Sequence, residues 1–301
     1  MSARSRRAQA EAATHAVPAP AARGLAGKLA ELHPRRFFLE TWTGINAETL
    51  ARPAPDARPG KRGRAAEAAA LFDPRVLVVL VTVAVSLTLM EYFGDRTTFR
   101  DLFSGIISRR DRYFELWSFA YWSACRVIGY VAIPCVVVAF MRGERLRDHG
   151  MATEGFFRHL WIYVVLYSIV LPTIVLVSFL GDFKSYYPFY DEAGRSWFDF
   201  FAWECVYGVQ FLSLEFFFRG FILQSLKRTL GAYSIFVMVV PYCMIHFGKP
   251  FLEALAAIIA GIVLGTLALK TRSIWCGVLI HVSVAVTMDV AALWQRGALP
   301  H

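Results

Sequence analysis

The sequence predicts an all-α, polytopic transmembrane helical bundle of about seven to eight spans, and three observations carry that reading. Hydrophobic residues make up 56% of the 301-residue chain, giving a mean hydropathy of +0.45, and, second, only 18% of residues are charged. A soluble domain of this size is less apolar and more highly charged. The third observation is a series of apolar stretches punctuated by short polar and basic loops, each close to the length a bilayer crossing needs.

Residues 1–74 precede those stretches and read as a separate basic, Ala/Pro-rich tail, disordered and cytoplasmic. Runs such as Arg52-Pro53-Ala54-Pro55 and Gly60-Lys61-Arg62-Gly63-Arg64 show no sustained apolar period. The start lacks the apolar core and small-residue cleavage site of a secretory signal, so the tail is expected to remain on the mature protein. One exception is Phe37-Phe38-Leu39-Glu40-Thr41-Trp42. Its aromatics read either as a lipid-interface contact or as a transient cluster in the tail.

Residues 75–301 form the membrane domain. Its apolar stretches run over 76–93, 116–141, 158–180, 197–226, 232–247, 251–269 and 275–294. The fifth is short, and only Gly248-Lys249-Pro250 separates it from the sixth. That connection is expected to sit below the outer surface, its free backbone groups shielded by protein. Pro134 should kink the second span, and Arg126 in the same span either snorkels or joins the polar interior. Cys125, Cys135, Cys205, Cys243 and Cys276 lack CxxC spacing, so they are expected to be buried thiols rather than a zinc cluster or disulfide framework.

The formal net charge is +9, yet much of the positive charge lies in the tail and in short loops, which is an orientation signal and not a nucleic-acid footprint. Basic residues Arg142, Arg145, Arg147, Lys227, Arg228, Lys270 and Arg272 fall in loops on the side of the N-terminus, while Asp182, Asp191 and Glu192 fall opposite. The N-terminus is therefore expected in the cytoplasm. The 94–115 segment disagrees, with Arg96, Arg100, Arg109, Arg110 and Arg112 on the outer side. It reads either as an interfacial amphipathic helix or as a hidden half-span.

Ionisable groups inside the apolar stretches are the chemical signal. A charge at membrane depth costs at least about 2.5 to 3.5 kcal/mol, so it is rarely kept without a partner or a task. Glu215 and Arg219 stand at i,i+4 within Leu214-Glu215-Phe216-Phe217-Phe218-Arg219-Gly220, and His246 and His281 follow on the next stretches. Glu215 is 13 residues before Arg228, and His246 is 14 beyond Ala232. Both therefore lie roughly 20 Å from the cytoplasmic end. His281 lies about 12 Å deep and Asp289 about 24 Å by the same rise; a tilted helix would bring His281 level, with Asp289 as a further member on its face. Taken singly, Glu215 and Arg219 read as a structural ion pair, each His as an interhelical hydrogen-bonding residue, and Phe216, Phe217 and Phe218 as packing and lipid contact. Together the four ionisable groups make a polar centre suited to hydrolysis.

The segment from about Trp203 to Trp294 resembles the CPBP intramembrane proteases, the group containing CAAX prenyl endopeptidases and bacteriocin-processing or self-immunity membrane proteins. Their pattern runs EExxxR, FxxxH and HxxxN on successive helices. Here Leu214-Glu215 with Arg219-Gly220 corresponds to the first, Tyr242 to His246 to the second with Tyr for Phe, and Ser273 through His281 to the lead-in and histidine of the third. Two positions depart: the first glutamate of the pair is Leu214, and the final Asn is Ala285.

The resemblance implies an intramembrane endopeptidase of the bacterial inner membrane acting on a membrane-anchored or transmembrane peptide among membrane lipids, without nucleic acid. Glu215 would then be general base, with His246 and His281 stabilising the oxyanion or, together with Glu215, holding a divalent metal such as zinc. Arg219 would keep Glu215 ionised, and Asp289 would replace the missing Asn. The departures leave a second class open: a catalytically inactive relative that binds peptides or confers immunity. A transporter would show internal repeat symmetry, and no repeat is evident in the sequence.

Overall fold

A computed structural model describes residues 24–50, 73–141, 143–153 and 156–300. Most of the predicted tail therefore lies outside the described residues. The part that is described, 24–50, is helical, which corrects the expectation of a structureless tail there. The chain divides into two compact units, Met1–Thr41 and Trp42–His301. In the first, helix α1 (Leu25–Glu31) leads into a π-helical turn, Arg35–Glu40, with Phe37 packed edge-on against Phe38 at 4.9 Å.

The second unit begins within helix α2 (Thr41–Leu50). Trp42 Nε1 donates to Thr266 Oγ1 at 3.1 Å, Asn46 Oδ1 accepts from the Ala232 amide at 2.8 Å, and the Thr49 hydroxyl donates to the Lys227 carbonyl at 3.2 Å. The Asn46 bond satisfies an amide at a tight helix-to-helix turn that the helix could not satisfy itself. Gly231 is required there, since it adopts φ +56° and a Cβ would run into the Asn46 amide oxygen. Deleting residues 1–41 is therefore expected to leave the membrane unit folded. Deletion through residue 50 should remove bonds worth about 1 kcal/mol each and lower Tm by about 5 to 10 °C, as thermal unfolding in detergent would show.

Among the described residues there is no strand, and six helices are long and apolar enough to cross a membrane. They are α3 (Pro74–Phe93), α5 (Phe114–Phe140), α6 (Phe156–Val177), α8 (Trp197–Leu230), α10 (Phe251–Thr271) and α11 (Trp275–Arg296). The fifth apolar stretch forms only α9, Tyr233–Met244, whose 12 residues reach about 18 Å. Six full spans and one partial helix thus stand where seven to eight spans were expected. Pro241 lies in the last turn of α9, and the chain turns at 245–249 before α10 begins.

Local chemistry sets the boundaries. Asp73 caps α3 by accepting from the Arg75 amide at 2.9 Å with Pro74 at the first helical position, and Ser196 caps α8 by accepting from the Asp199 amide at 3.2 Å. The α3 residues Val79, Thr82, Val83, Ser86 and Met90 are buried, a single helical face. Between α3 and α5 the basic segment forms a short helix, α4 (Arg96–Phe103), rather than a half-span. It buries Phe99, and Arg96 bonds Glu115 at 2.9 Å and Ser118 at 3.0 Å. The disturbance expected from Pro134 is a π-helical widening over Ile128–Ala132, immediately before the proline that cannot donate to the ladder.

Helix α8 is the centre of the bundle. Phe217, Phe218, Phe221 and Leu223 pack with Val79 and Val83 of α3 and with Ile235, Met238 and Tyr242 of α9. Phe216, Phe217 and Phe218 are all buried, so they belong to the core and not to a lipid-facing surface. The α6 helix is joined to α11 by Tyr163 to Ser283 and Tyr167 to Thr287, hydroxyl pairs at 2.7 and 2.6 Å. All five cysteines are free, but only Cys276 is buried and Cys205 is exposed, which corrects the expectation of five buried thiols.

Candidate active site

A third π-helical segment, Phe216–Ile222, interrupts α8 directly after Glu215. Such widenings re-aim side chains and recur at functional sites. Here it holds Arg219 with its Nη1 3.0 Å from Glu215 Oε1, both side chains fully buried. The guanidinium carbon lies 4.0 Å from the Tyr242 ring centroid, so the cation is held between a carboxylate and an aromatic face. From α11, His281 Nδ1 approaches the same Glu215 oxygen at 2.7 Å. Neither contact to Glu215 is aligned as a directed hydrogen bond; Arg219 meets the carboxylate as a buried ion pair, where such attraction is strong.

The Tyr242 hydroxyl and His281 Nε2 are 2.8 Å apart, and the Tyr242 carbonyl meets His246 Nδ1 at 2.8 Å. Tyr242 is thus the hub that joins the two histidines. The His281 ring lies parallel to Phe211, centroids 5.5 Å apart and 4° between planes. Gly277, one turn before His281, has no Cβ because one would strike Glu215 Oε2. Only glycine lets α11 approach the carboxylate this closely.

Beside this cluster is a cavity of about 510 Å³ walled by α3, α5, α8, α11 and the 244–249 turn. His246, His281, Gln210 and Leu214 are on its wall, with Arg126 and Glu91 farther along. The loop residue Phe189 and the turn residue Lys249 line it too, so the cavity lies toward the face opposite the 271–274 connection.

The predicted residues therefore sort into three positions. His246 and His281 meet the cavity. Glu215 and Arg219 join them from behind, and the carboxylate, 0% exposed, reaches the cavity only through His281. Asp289 is held elsewhere: its Oδ2 accepts from Trp203 Nε1 at 2.6 Å, and it is not on the cavity wall. Sequence reasoning missed the bridging role of Tyr242, for which its hydroxyl at an otherwise Phe position was the one signal. It also missed Gln210, Phe211 and Glu91, which are brought in from other turns and carry no local signature.

The same geometry tests the zinc set. One Glu215 oxygen faces both Arg219 and His281, and His281 Nε2 is taken by Tyr242, so only His246 keeps a free ring nitrogen. Among the described residues no three His, Cys, Asp or Glu side chains are placed to hold a metal ion. The arrangement does not fit a Glu/His/His metal site.

A polytopic helical membrane protein with a buried carboxylate, guanidinium and imidazole cluster beside a cavity carries the kind of intramembrane polar centre that marks a functional site. Residues 195–287 match the family model described as Rce1-like, type II CAAX prenyl endopeptidase Rce1-like. The match contains Glu215, Arg219, His246 and His281, and bears out the resemblance over that segment. It supports a CAAX-type intramembrane protease in general. No curated protein and no solved structure matches the chain.

Proposed function

We propose that the chain is an intramembrane endopeptidase that cleaves a membrane-anchored peptide in the cavity, with His246 and His281 as the residues that meet the reacting groups. The observation that carries this reading is that two imidazoles, one on the turn after α9 and one on α11, share one cavity wall while each is held by a bond to Tyr242. His246 gives its Nδ1–H to the Tyr242 carbonyl, which leaves Nε2 as the basic nitrogen. It takes the proton of the attacking water and passes it to the leaving amine. His281, held at Nδ1 by the Glu215 carboxylate, turns its Nε2–H from the Tyr242 hydroxyl to the oxyanion of the tetrahedral intermediate and stabilises it. Glu215 acts through His281 instead of touching the water, and Arg219 holds Glu215 ionised. The N-terminus is cytoplasmic, so the cavity faces the opposite side.

Leu214 favours a second reading. It stands on the cavity wall where the resembling family has the first glutamate of its pair, and an apolar group there suits a protein that binds peptides without cutting them. Incubating the purified protein with membrane-anchored peptides, with fragments read by mass spectrometry, tests both. Cleavage is expected, and His246→Ala should reduce it by at least about 10²-fold. Peptides bound but never cut would establish the second reading.

A further inference from the structure

The connection between α3 and α5, residues 94–113, carries Arg96, Arg100, Arg109, Arg110 and Arg112 on the side where the charge bias of the other loops predicts few basic residues. Its inner side is bound to the bundle. Phe99 is buried against Phe114 and Tyr121, with ring centroids 5.5 and 5.7 Å away, Arg96 bonds Glu115 and Ser118, and the Arg112 carbonyl accepts from Arg195 Nη1 at 3.1 Å. The segment is therefore a platform held at several points.

Its other side is open. Leu102 is 61% and Ile106 79% exposed. Arg109, Arg110 and Arg112 are exposed as well, and the ion pairs of the described residues do not include them. The carboxylates of Asp95 and Asp111 are turned back to the Thr98 and Tyr113 amides at 2.6 and 2.8 Å, whereas Arg100 is already matched by Glu115 at 3.7 Å. Because α3 ends at Phe93 and α5 begins at Phe114, the platform lies where hydrocarbon gives way to headgroups, about 15 Å from the bilayer centre. Exposed Phe93 and Trp117 on the adjoining helix ends supply the aromatic border expected at that level.

The geometry points to a binding surface for anionic phospholipid headgroups, in which Leu102 and Ile106 enter the acyl boundary and Arg109, Arg110 and Arg112 take the phosphate oxygens. A guanidinium matches a phosphate with two parallel N–H donors, and an amphipathic segment holds to a membrane by apolar burial and attraction to anionic lipid together. The partner is a lipid and not a soluble anion because the arginines stand beside apolar side chains that only acyl chains would cover. Both helices that the platform joins wall the cavity. A headgroup held here therefore fixes those ends of α3 and α5 at one depth, whatever reaction the cavity carries out.

The test uses the full chain in phosphatidylcholine nanodiscs that contain a small fraction of a photo-crosslinking phosphatidylglycerol or, separately, a phosphatidylcholine probe with the same chains, and adducts are mapped by peptide mass spectrometry. Labelling of residues 100–113 should favour the phosphatidylglycerol probe by about 10-fold or more, and about 0.5 M salt should shrink that excess, since exposed charges are screened. Arg109→Gln, Arg110→Gln and Arg112→Gln combined should bring the ratio in this segment close to one, while adducts elsewhere on the chain keep theirs and serve as the reference. Leu102→Ser with Ile106→Ser should lower labelling by both probes together. Should the triple arginine variant melt early, the three single variants decide, each expected to remove up to about 5-fold of the excess. Equal labelling by the two probes, or an excess that survives the arginine substitutions, overturns the proposal. So does an excess abolished by inorganic phosphate at an ionic strength where chloride leaves it intact, since a free anion would then be the ligand. Unchanged labelling after the Leu102 and Ile106 substitutions would set the segment clear of the acyl chains and overturn it too.

Discussion

Glu215→Gln and His281→Ala are each expected to lower peptide cleavage by about 10² to 10⁴-fold while the protein still assembles in the membrane. The two losses have different origins. His281→Ala removes the imidazole from the cavity wall, and with it the donor that meets the oxyanion. Glu215→Gln leaves that ring in place but replaces a carboxylate 2.7 Å from His281 Nδ1 with a neutral amide. The carboxylate no longer receives the Nδ1–H, and an amide N–H turned toward Nδ1 would favour the wrong tautomer. Because both substitutions disable one unit, the double variant should be scarcely worse than either single one. Initial rates on a membrane-anchored peptide for the two single variants and the double one check this. Near-normal cleavage by Glu215→Gln would show that His281 works without its carboxylate and would end the proposed mechanism.

Arg219→Ala should have the largest effect on stability. It leaves Glu215, 0% exposed, as a buried carboxylate with only a histidine beside it, and breaking a buried pair in this way costs about 3 to 5 kcal/mol. It also removes the cation that lies 4.0 Å from the Tyr242 ring centroid, and so loosens the residue that holds both histidines. For a chain of this size the cost corresponds to a fall in Tm of about 10 °C or more, with activity lost as well. Removing both charges together, as Glu215→Gln with Arg219→Met, should restore much of the melting temperature, because no unpaired charge remains. Activity should stay low, since His281 still lacks its carboxylate. A melt of the double variant as low as that of Arg219→Ala would mean that the guanidinium acts through packing and not through its charge.

The helices were legible because their signal is one-dimensional. A run of some 20 apolar residues is enough to specify a span, and the segments 76–93, 197–226 and 275–294 fall within a few residues of α3, α8 and α11. The i,i+4 spacing of Glu215 and Arg219 foretold their pairing because both are on one helix face, and the π-helical segment that follows Glu215 did not disturb it. Residues 24–50 were misjudged because α2 is held by bonds to residues nearly two hundred positions or more away, such as Trp42 to Thr266. Asp289 was placed beside His281 by depth along α11, but Trp203 of α8 holds its carboxylate away from the cavity.

By itself, then, the sequence determined an all-α membrane protein, the order of its apolar helices, and the four ionisable residues Glu215, Arg219, His246 and His281 that its apolar context makes costly to keep. Composition and helical period depend on neighbours in the chain, so one sequence suffices to read them. Only the tertiary structure decided that Glu215 reaches the cavity through His281, that the Tyr242 hydroxyl and carbonyl join the two histidines, and that Leu214 and Arg126 share their cavity. Those relations arise where α5, α8, α9 and α11 cross, and the rotation of each helix about its axis is set by packing against the others, which no periodicity within a single segment encodes.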